Sequence, residues 1–219
     1  METNIELIEK RFKIYQMLSY LYLNIPSKKS IDIIKDNADF FYELIGEAID
    51  FISEEKIQEY IQEYYDVFFV ATSDLFVPPY ESAISNMKVK NGKINYGSVY
   101  SSETIHVKES YDSVGFEVSN LRGFDPLIVN YYSDHIAFEL SFLTYLTNLE
   151  YKNFKKGSYD EASKWRKLQY SFLAEHLGKW IGKYNEEIQK KQVNFFSYIT
   201  NAVKEWIALD IEYLNEEVS

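Results

Sequence analysis

The 219-residue chain contains no cysteine. That absence excludes disulfides, Cys-ligated zinc, iron–sulfur clusters and a thiol nucleophile together. Glycine (8) and proline (4) are scarce. All-β sandwiches and Rossmann-type folds use these residues for turns and phosphate loops, so neither is expected. Positive charge is short as well: 23 Lys and Arg stand against 34 Asp and Glu, a formal net charge of −11. A protein of that sign forfeits the electrostatic attraction that dominates nucleic-acid binding, so no nucleic-acid partner is expected. No stretch approaches the roughly 18 uninterrupted apolar residues of a membrane span. The start, with Glu2, Glu6 and Glu9, lacks the apolar core and small-residue cleavage site of a signal peptide. A cytoplasmic location is the resulting expectation.

What is present is a folded composition, 46% hydrophobic and 26% charged, with enough length for one large domain and its core. Apolar residues recur at three- and four-residue steps almost throughout, which predicts an all-α fold of about ten helices. Ile5, Ile8, Phe12, Tyr15, Leu18 and Tyr22 form the first stripe, and Pro26 stops it. Ser30 is the expected N-cap of a second helix reaching about residue 50. Ser53, followed by Glu54 and Glu55, opens a third that runs to about Val70. The pattern then breaks. Asn91-Gly92 between short alternating runs predicts one small type I′ hairpin near 88–96. A helix over 102–117 and a loop over 118–132 follow, the loop being the expected subdomain hinge.

Ser133 or Asp134 starts a long helix that ends before Gly157. Ser158 and Glu161 have the spacing of a capping box for the next, whose stripe is Trp165, Leu168, Phe172, His176 and Trp180. These are expected to be core residues, His176 included. Gly182 and Asn185 weaken the end of that helix. A last helix over about 194–214 turns Phe195, Ile199, Val203, Trp206 and Leu209 inward. Charge is uneven: residues 31–66 hold eleven acids and two bases, residues 151–191 ten bases and five acids. Both read as solvated faces, or the acidic one as a docking face for a basic partner.

Few residues nominate chemistry. There is no nucleophile elbow and no Gly-rich phosphate loop. His135 and Glu139 lie four apart beside Asp134 and could ligate a metal, but Asp134 at a helix start has an ordinary capping role. Glu103 and His106 have Glu-x-x-His spacing, yet a di-metal bundle needs two such pairs with further glutamates. No metal and no cofactor are therefore expected. Residues 63–83 are the least explained by helix packing. There an aromatic helix end meets Pro78-Pro79-Tyr80-Glu81-Ser82, a rigid turn or the rim of a pocket for an apolar peptide.

Taken in order, Tyr64 to Phe69 with Pro78 to Ser82, then Asp134-His135-Ile136 with Glu139-Leu140, Phe142-Leu143 and Leu146, then Phe172, His176-Leu177 and Trp180 resemble the TorD/DmsD/NarJ-like redox-enzyme maturation chaperones. Tyr111 and Gly115-Phe116 also fit, and the match spans roughly residues 10–210. The resemblance implies an all-helical cytoplasmic chaperone without catalytic turnover. Its partner would be the apo-form of a molybdenum oxidoreductase, bound through a twin-arginine leader or N-terminal segment until the molybdopterin cofactor is inserted. It also implies a hinge and peptide-contact region at the Asp-His block, and admits a domain-swapped homodimer. Guanine-nucleotide binding, suggested for some members, is not carried over because no phosphate loop is present. Ser133 stands where the family usually has proline, which removes one constraint on the hinge.

The expected peptide site is accordingly Tyr65, Phe69, Pro79, Tyr80, Glu81, Ser82, Asp134, His135 and Glu139. The tyrosines and Phe69 would be its apolar walls, Glu81 and Asp134 would face the basic part of a leader, and His135 would orient Asp134. The competing readings are a helical metal-dependent enzyme using Asp134, His135 and Glu139, and an adaptor with an acidic docking face.

Overall fold

A single guanidinium ties the long helices together. The computed structural model describes residues 2–130 and 132–218. In it α1 (Glu2–Leu23) packs along α8 (Ile136–Lys155), which packs on α9 (Tyr159–Glu175), with α11 (Phe195–Val218) lying against α9 and touching α1. Arg11 of α1, 1% exposed, donates from Nε and Nη2 to Asp210 of α11 (2.5 and 3.0 Å), from Nη1 to Glu150 of α8 (3.0 Å) and from Nη2 to Gln169 of α9 (2.6 Å). Tyr15 adds a hydroxyl to Asp210 (2.6 Å), and Arg166 a second cation to Glu150 (2.7 Å). Burial alone would lower the Arg11 pKa, but the carboxylates of Asp210 and Glu150 outweigh it and raise it.

Around these helices the chain adds α2 (Lys28–Asp36), α3 (Ala38–Ile45), α4 (Ile57–Phe68), α5 (Glu81–Ser85), α6 (Ser102–Ser113), α7 (Asp125–Val129) and α10 (Leu177–Gln189). The described residues thus hold eleven α-helices and one two-stranded antiparallel hairpin, β1 (Lys88–Lys90) and β2 (Lys93–Asn95). The fold is all-α, as the periodicity predicts. Asn91 (φ 53°) and Gly92 (φ 73°) both sit in the left-handed region that a type I′ turn requires. None of the helices is long and apolar enough to cross a membrane, among the described residues.

The core is rich in aromatic rings. Tyr22, Phe68 and Phe196 meet with ring centroids 4.6–5.9 Å apart, and Tyr60 stacks on Phe195 at 4.6 Å. Most buried tyrosines also satisfy their hydroxyl. Tyr22 pairs with Thr200 (2.6 Å), and Tyr111 donates to the Ser133 carbonyl (2.9 Å).

Several local expectations are corrected. Ser30 is not the cap of the second helix: Ser27 is, and the two hydroxyls form a reciprocal capping box. That helix also divides at Asn37. The third begins as a 3-10 turn (Glu54–Lys56) and α4 ends at Phe68, short of Val70. The helix over 102–117 stops at Ser113, and the 118–132 loop holds a 3-10 turn (Val118–Asn120) and α7. Ser158 makes no side-chain cap bond, so the Ser158–Glu161 box is not formed. Leu168 and Leu209, expected inside, are 40% and 53% exposed. The residues that α9 buries are Ala162, Gln169, Phe172 and Leu173, and Leu168 is not among them. α9 ends at Glu175, and His176 takes φ −123° and ψ −101°, outside the helical region. Gly178 lets α10 restart beside α9, since a Cβ there would lie 2.6 Å from both the Leu173 carbonyl and Ile211. Gly182 and Asn185 lie within α10, which runs to Gln189.

Candidate functional site

The Pro78–Ser82 turn and the Asp134-His135 block, far apart along the chain, meet as two short antiparallel backbone segments. Tyr80 and His135 form an isolated β-bridge. Glu81 N–H donates to the Asp134 carbonyl (3.0 Å), and Ile136 N–H to the Pro79 carbonyl (3.0 Å). Asp134 Oδ2 accepts from Ser82 N–H (2.8 Å), holding the first turn of α5. The helix α8 is capped by His135 rather than by Ser133 or Asp134: its Nδ1 accepts from Ala137 N–H (3.1 Å). Ser133 is tied to α6 by hydrogen bonds. Its hydroxyl donates to the Thr104 carbonyl, and its own carbonyl receives Tyr111.

Behind the bridge lies a buried polar layer. His176 Nδ1 is 2.8 Å from Glu81 Oε2, and Trp180 Nε1–H donates to Glu139 Oε2 (3.1 Å). Glu81, Ser82, Asp134, His135 and Glu139 are all at most 3% exposed. Two expectations therefore fail. Glu81 and Asp134 do not face solvent, and His135 does not orient Asp134; its ring instead lies edge-on to Tyr80 at 5.0 Å. Burial lowers the His135 pKa to about 3, so the ring is neutral near neutral pH. Burial also raises Asp134, against the Ser82 hydrogen bonds. Glu139 is raised well above its ordinary value by burial first, then by the neighbouring Glu81 carboxylate, with Trp180 opposing.

The raised Glu139 pKa gives stability a definite pH slope. The folded protein keeps this proton at pH values where the unfolded chain, titrating near 4.5, has lost it. The native state then binds more protons, and stability falls as pH rises from about 4.5 towards the higher folded value. Glu139→Gln keeps an acceptor for Trp180 and cannot ionise. Its unfolding free energy should decline less than that of the wild type between about pH 5 and 8, measured by urea denaturation; parallel pH profiles would contradict this.

Two groups of partly exposed aromatic rings lie in the same region, one of them including Tyr80 of the bridge. Tyr65, Phe69 and Phe124 pack on one another with centroids 5.5–6.1 Å apart. Tyr80 meets Tyr132, which meets Tyr100, both at 5.9 Å. Tyr64 links the two groups, its hydroxyl raised by burial and by interaction with Tyr65 and Tyr80. Phe69 (37%), Tyr132 (38%) and Tyr100 (59%) are exposed, and Pro79 is buried beneath. Sequence spacing does not pick out Phe124, Tyr132 or Tyr100. The signal for Phe124 is a lone aromatic in a polar loop.

Phe172, His176 and Trp180 are buried, as expected of core residues, and Trp165 is half-buried against the core. The two donors His176 and Trp180 nevertheless serve the site by bonding its carboxylates, which their four-residue spacing on the way into α10 allows. Asp134, His135 and Glu139 each hold a backbone or side-chain partner through one atom, while Asp134 Oδ1 and Glu139 Oε1 are buried without a hydrogen bond. The His/carboxylate cluster that does come within ligating distance among the described residues is a different one: His106, Glu175 and His176.

Residues 36–186 match the nitrate reductase delta subunit family. Chaperone protein TorD of Aliivibrio fischeri is 32% identical over 86 residues, an alignment covering 39% of this chain and 39% of that protein's length. The family match takes in the Pro-Pro-Tyr-Glu-Ser turn, the Asp-His block and the His-Leu-x-x-Trp segment, which are the pieces that build the bridge and its polar layer. The chain belongs to the nitrate reductase delta subunit family, that of the TorD/NarJ-like proteins.

Proposed function

We propose that the protein is a molybdoenzyme-maturation chaperone of the cytoplasm. Without catalytic turnover, it holds the twin-arginine leader or N-terminal segment of an apo-oxidoreductase against the aromatic face around Tyr80. Family membership and the TorD relative support the chaperone role. The observation that carries the site is the Tyr80–His135 bridge, which joins partly exposed aromatic residues to a buried polar layer. Tyr65, Phe69, Tyr80 and Phe124 supply contact area at low entropic cost, suited to the apolar stretch of a leader. Glu81, Ser82, Asp134, His135 and Glu139 act as positioning residues that hold Pro79 and Tyr80 in place. The basic run of the leader would meet carboxylates open to solvent, among them Asp125, which is exposed beside Phe124. The 118–133 segment, carrying Phe124 and Tyr132, is the natural hinge for closure or for exchange between two copies.

Calorimetric titration with a twin-arginine leader peptide tests this. Tyr80→Ala should lose about tenfold or more in affinity at both low and high salt, because its contacts are apolar. Asp125→Asn should lose affinity mainly at low salt, where charge is least screened. Wild-type affinity in both variants would exclude this face. A second reading, a metal-dependent enzyme built on Asp134, His135 and Glu139, is less supported, since all three are buried and their ligating atoms do not gather as a cluster among the described residues.

A further inference from the structure

The Glu103-x-x-His106 pair of α6 takes no part in the aromatic face or its polar layer. His106 instead reaches the junction of α9 and α10, where its ring centroid lies 5.0 Å from that of His176. The ligating atoms of His106, Glu175 and His176 lie within 4.8 Å of one another. All three line an open cavity of about 330 Å³ that Glu81, Glu103 and Lys179 also border.

Two features distinguish this from a chance meeting of surface side chains. Consecutive residues of a regular helix do not face the same way, but His176 breaks the helix, and that break lets Glu175 and His176 address one cavity. His176 itself is 2% exposed. Its Nδ1 is engaged by Glu81, while its Nε2, equally buried, has no hydrogen-bond partner. With Glu81 accepting at Nδ1, the lone pair resides on Nε2. A carboxylate bound to the far nitrogen is the arrangement that fixes the tautomer and raises the basicity of a metal-ligating histidine.

We propose that His106, Glu175 and His176 bind a divalent transition-metal ion of the zinc type, His176 through Nε2, with Glu81 as the outer carboxylate. Two imidazoles and one carboxylate form a donor set that zinc accepts, leaving a fourth position for water or an exogenous ligand. Ligand–metal distances of about 2.0–2.2 Å require the cluster to tighten, and His106 and Glu175, both exposed, are free to move inward. Glu103 is held by Ser101, Ser102 and Asn86 and stays outside the set. Lys179 is exposed and can withdraw its ammonium. The bound ion would clip α6 to the α9–α10 junction directly behind Glu81.

Metal-stripped full-length protein titrated with Co²⁺ alone should develop the visible absorption of a low-coordinate cobalt site, saturating at one equivalent and bleached by Zn²⁺. His106→Ala and Glu175→Gln alter exposed side chains and should keep the wild-type circular dichroism. Each should weaken Co²⁺ binding by more than the ~10–100-fold that loss of an outer partner alone costs. Absence of the cobalt absorption in wild type, or unchanged binding in both variants, overturns the site. Neither result bears on leader affinity, which is measured separately with metal-free protein.

Discussion

Arg11→Ala should cost about 3–5 kcal/mol of folding stability, the range expected when one partner of a buried ionic cluster is removed. The guanidinium makes four hydrogen bonds, to Asp210, Glu150 and Gln169, on three different helices. Among the described residues, alanine leaves Asp210 with the Tyr15 hydroxyl as its side-chain donor. Glu150 retains Arg166 and Gln169. Asp210 is therefore where most of the penalty arises. Since domains are typically stable by only about 5–15 kcal/mol, the variant should sit close to unfolding. Arg11→Lys retains the charge but not the planar fork, and should fall between the two. Urea denaturation checks this through a lower midpoint at an unchanged slope. A loss under about 1 kcal/mol would place the cluster among the solvent-screened pairs of small effect.

Trp180→Ala should also destabilise strongly, with an expected loss of about 3–5 kcal/mol. The indole is 1% exposed and packs on Tyr184 at 5.3 Å. Its removal opens a cavity beside the polar layer and also takes the Nε1–H from Glu139. Trp180→Phe separates the two contributions. It keeps most of the ring volume and chiefly loses the hydrogen bond, so about 1–3 kcal/mol is expected. The phenylalanine variant should also retain leader affinity if Trp180 acts by packing. A Trp180→Ala protein with wild-type stability that fails only in peptide binding would make the indole a contact residue instead.

Helix boundaries written in local chemistry are legible in the amino-acid order. Pro26 ends the first helix region, Asn91-Gly92 makes the hairpin, and α8 stops just short of Gly157. Such signals act over three or four residues, through backbone dihedral preferences and nearest-turn contacts, so the sequence contains them complete. Spacing within blocks is legible too. The order of the Pro-Pro-Tyr-Glu-Ser, Asp-His and His-Leu-x-x-Trp segments points to the family that residues 36–186 match. The first two blocks can be expected to meet because neither is explained as an ordinary helix end.

The side-chain assignments within that meeting are not legible. Glu81 and Asp134 look like exposed acids in the sequence, and the fold buries both, one against His176 and the other against Ser82 N–H. Glu63, one acid among many in 31–66, receives the N–H groups of Asn194, Phe195 and Phe196 at the start of α11. Leu168 reads as core on a continuous stripe and is exposed, because α9 turns Ala162, Gln169, Phe172 and Leu173 inward instead.

The all-helical class, most of the helix positions, the hairpin and the family are thus carried by the order of residues alone. Each depends on periodicity, turn chemistry or motif order, which are properties of neighbouring residues. Long-range packing settles the rest. It joins four helices at Arg11, seals the polar layer behind an aromatic face, and brings His106 to Glu175 and His176. The hydrogen bonds behind the Arg11 cluster and the polar layer link residues from 41 to 199 positions apart along the chain. At that separation the pairing is set by how helices pack and which side of each is turned inward, and residue spacing along one helix carries no record of it.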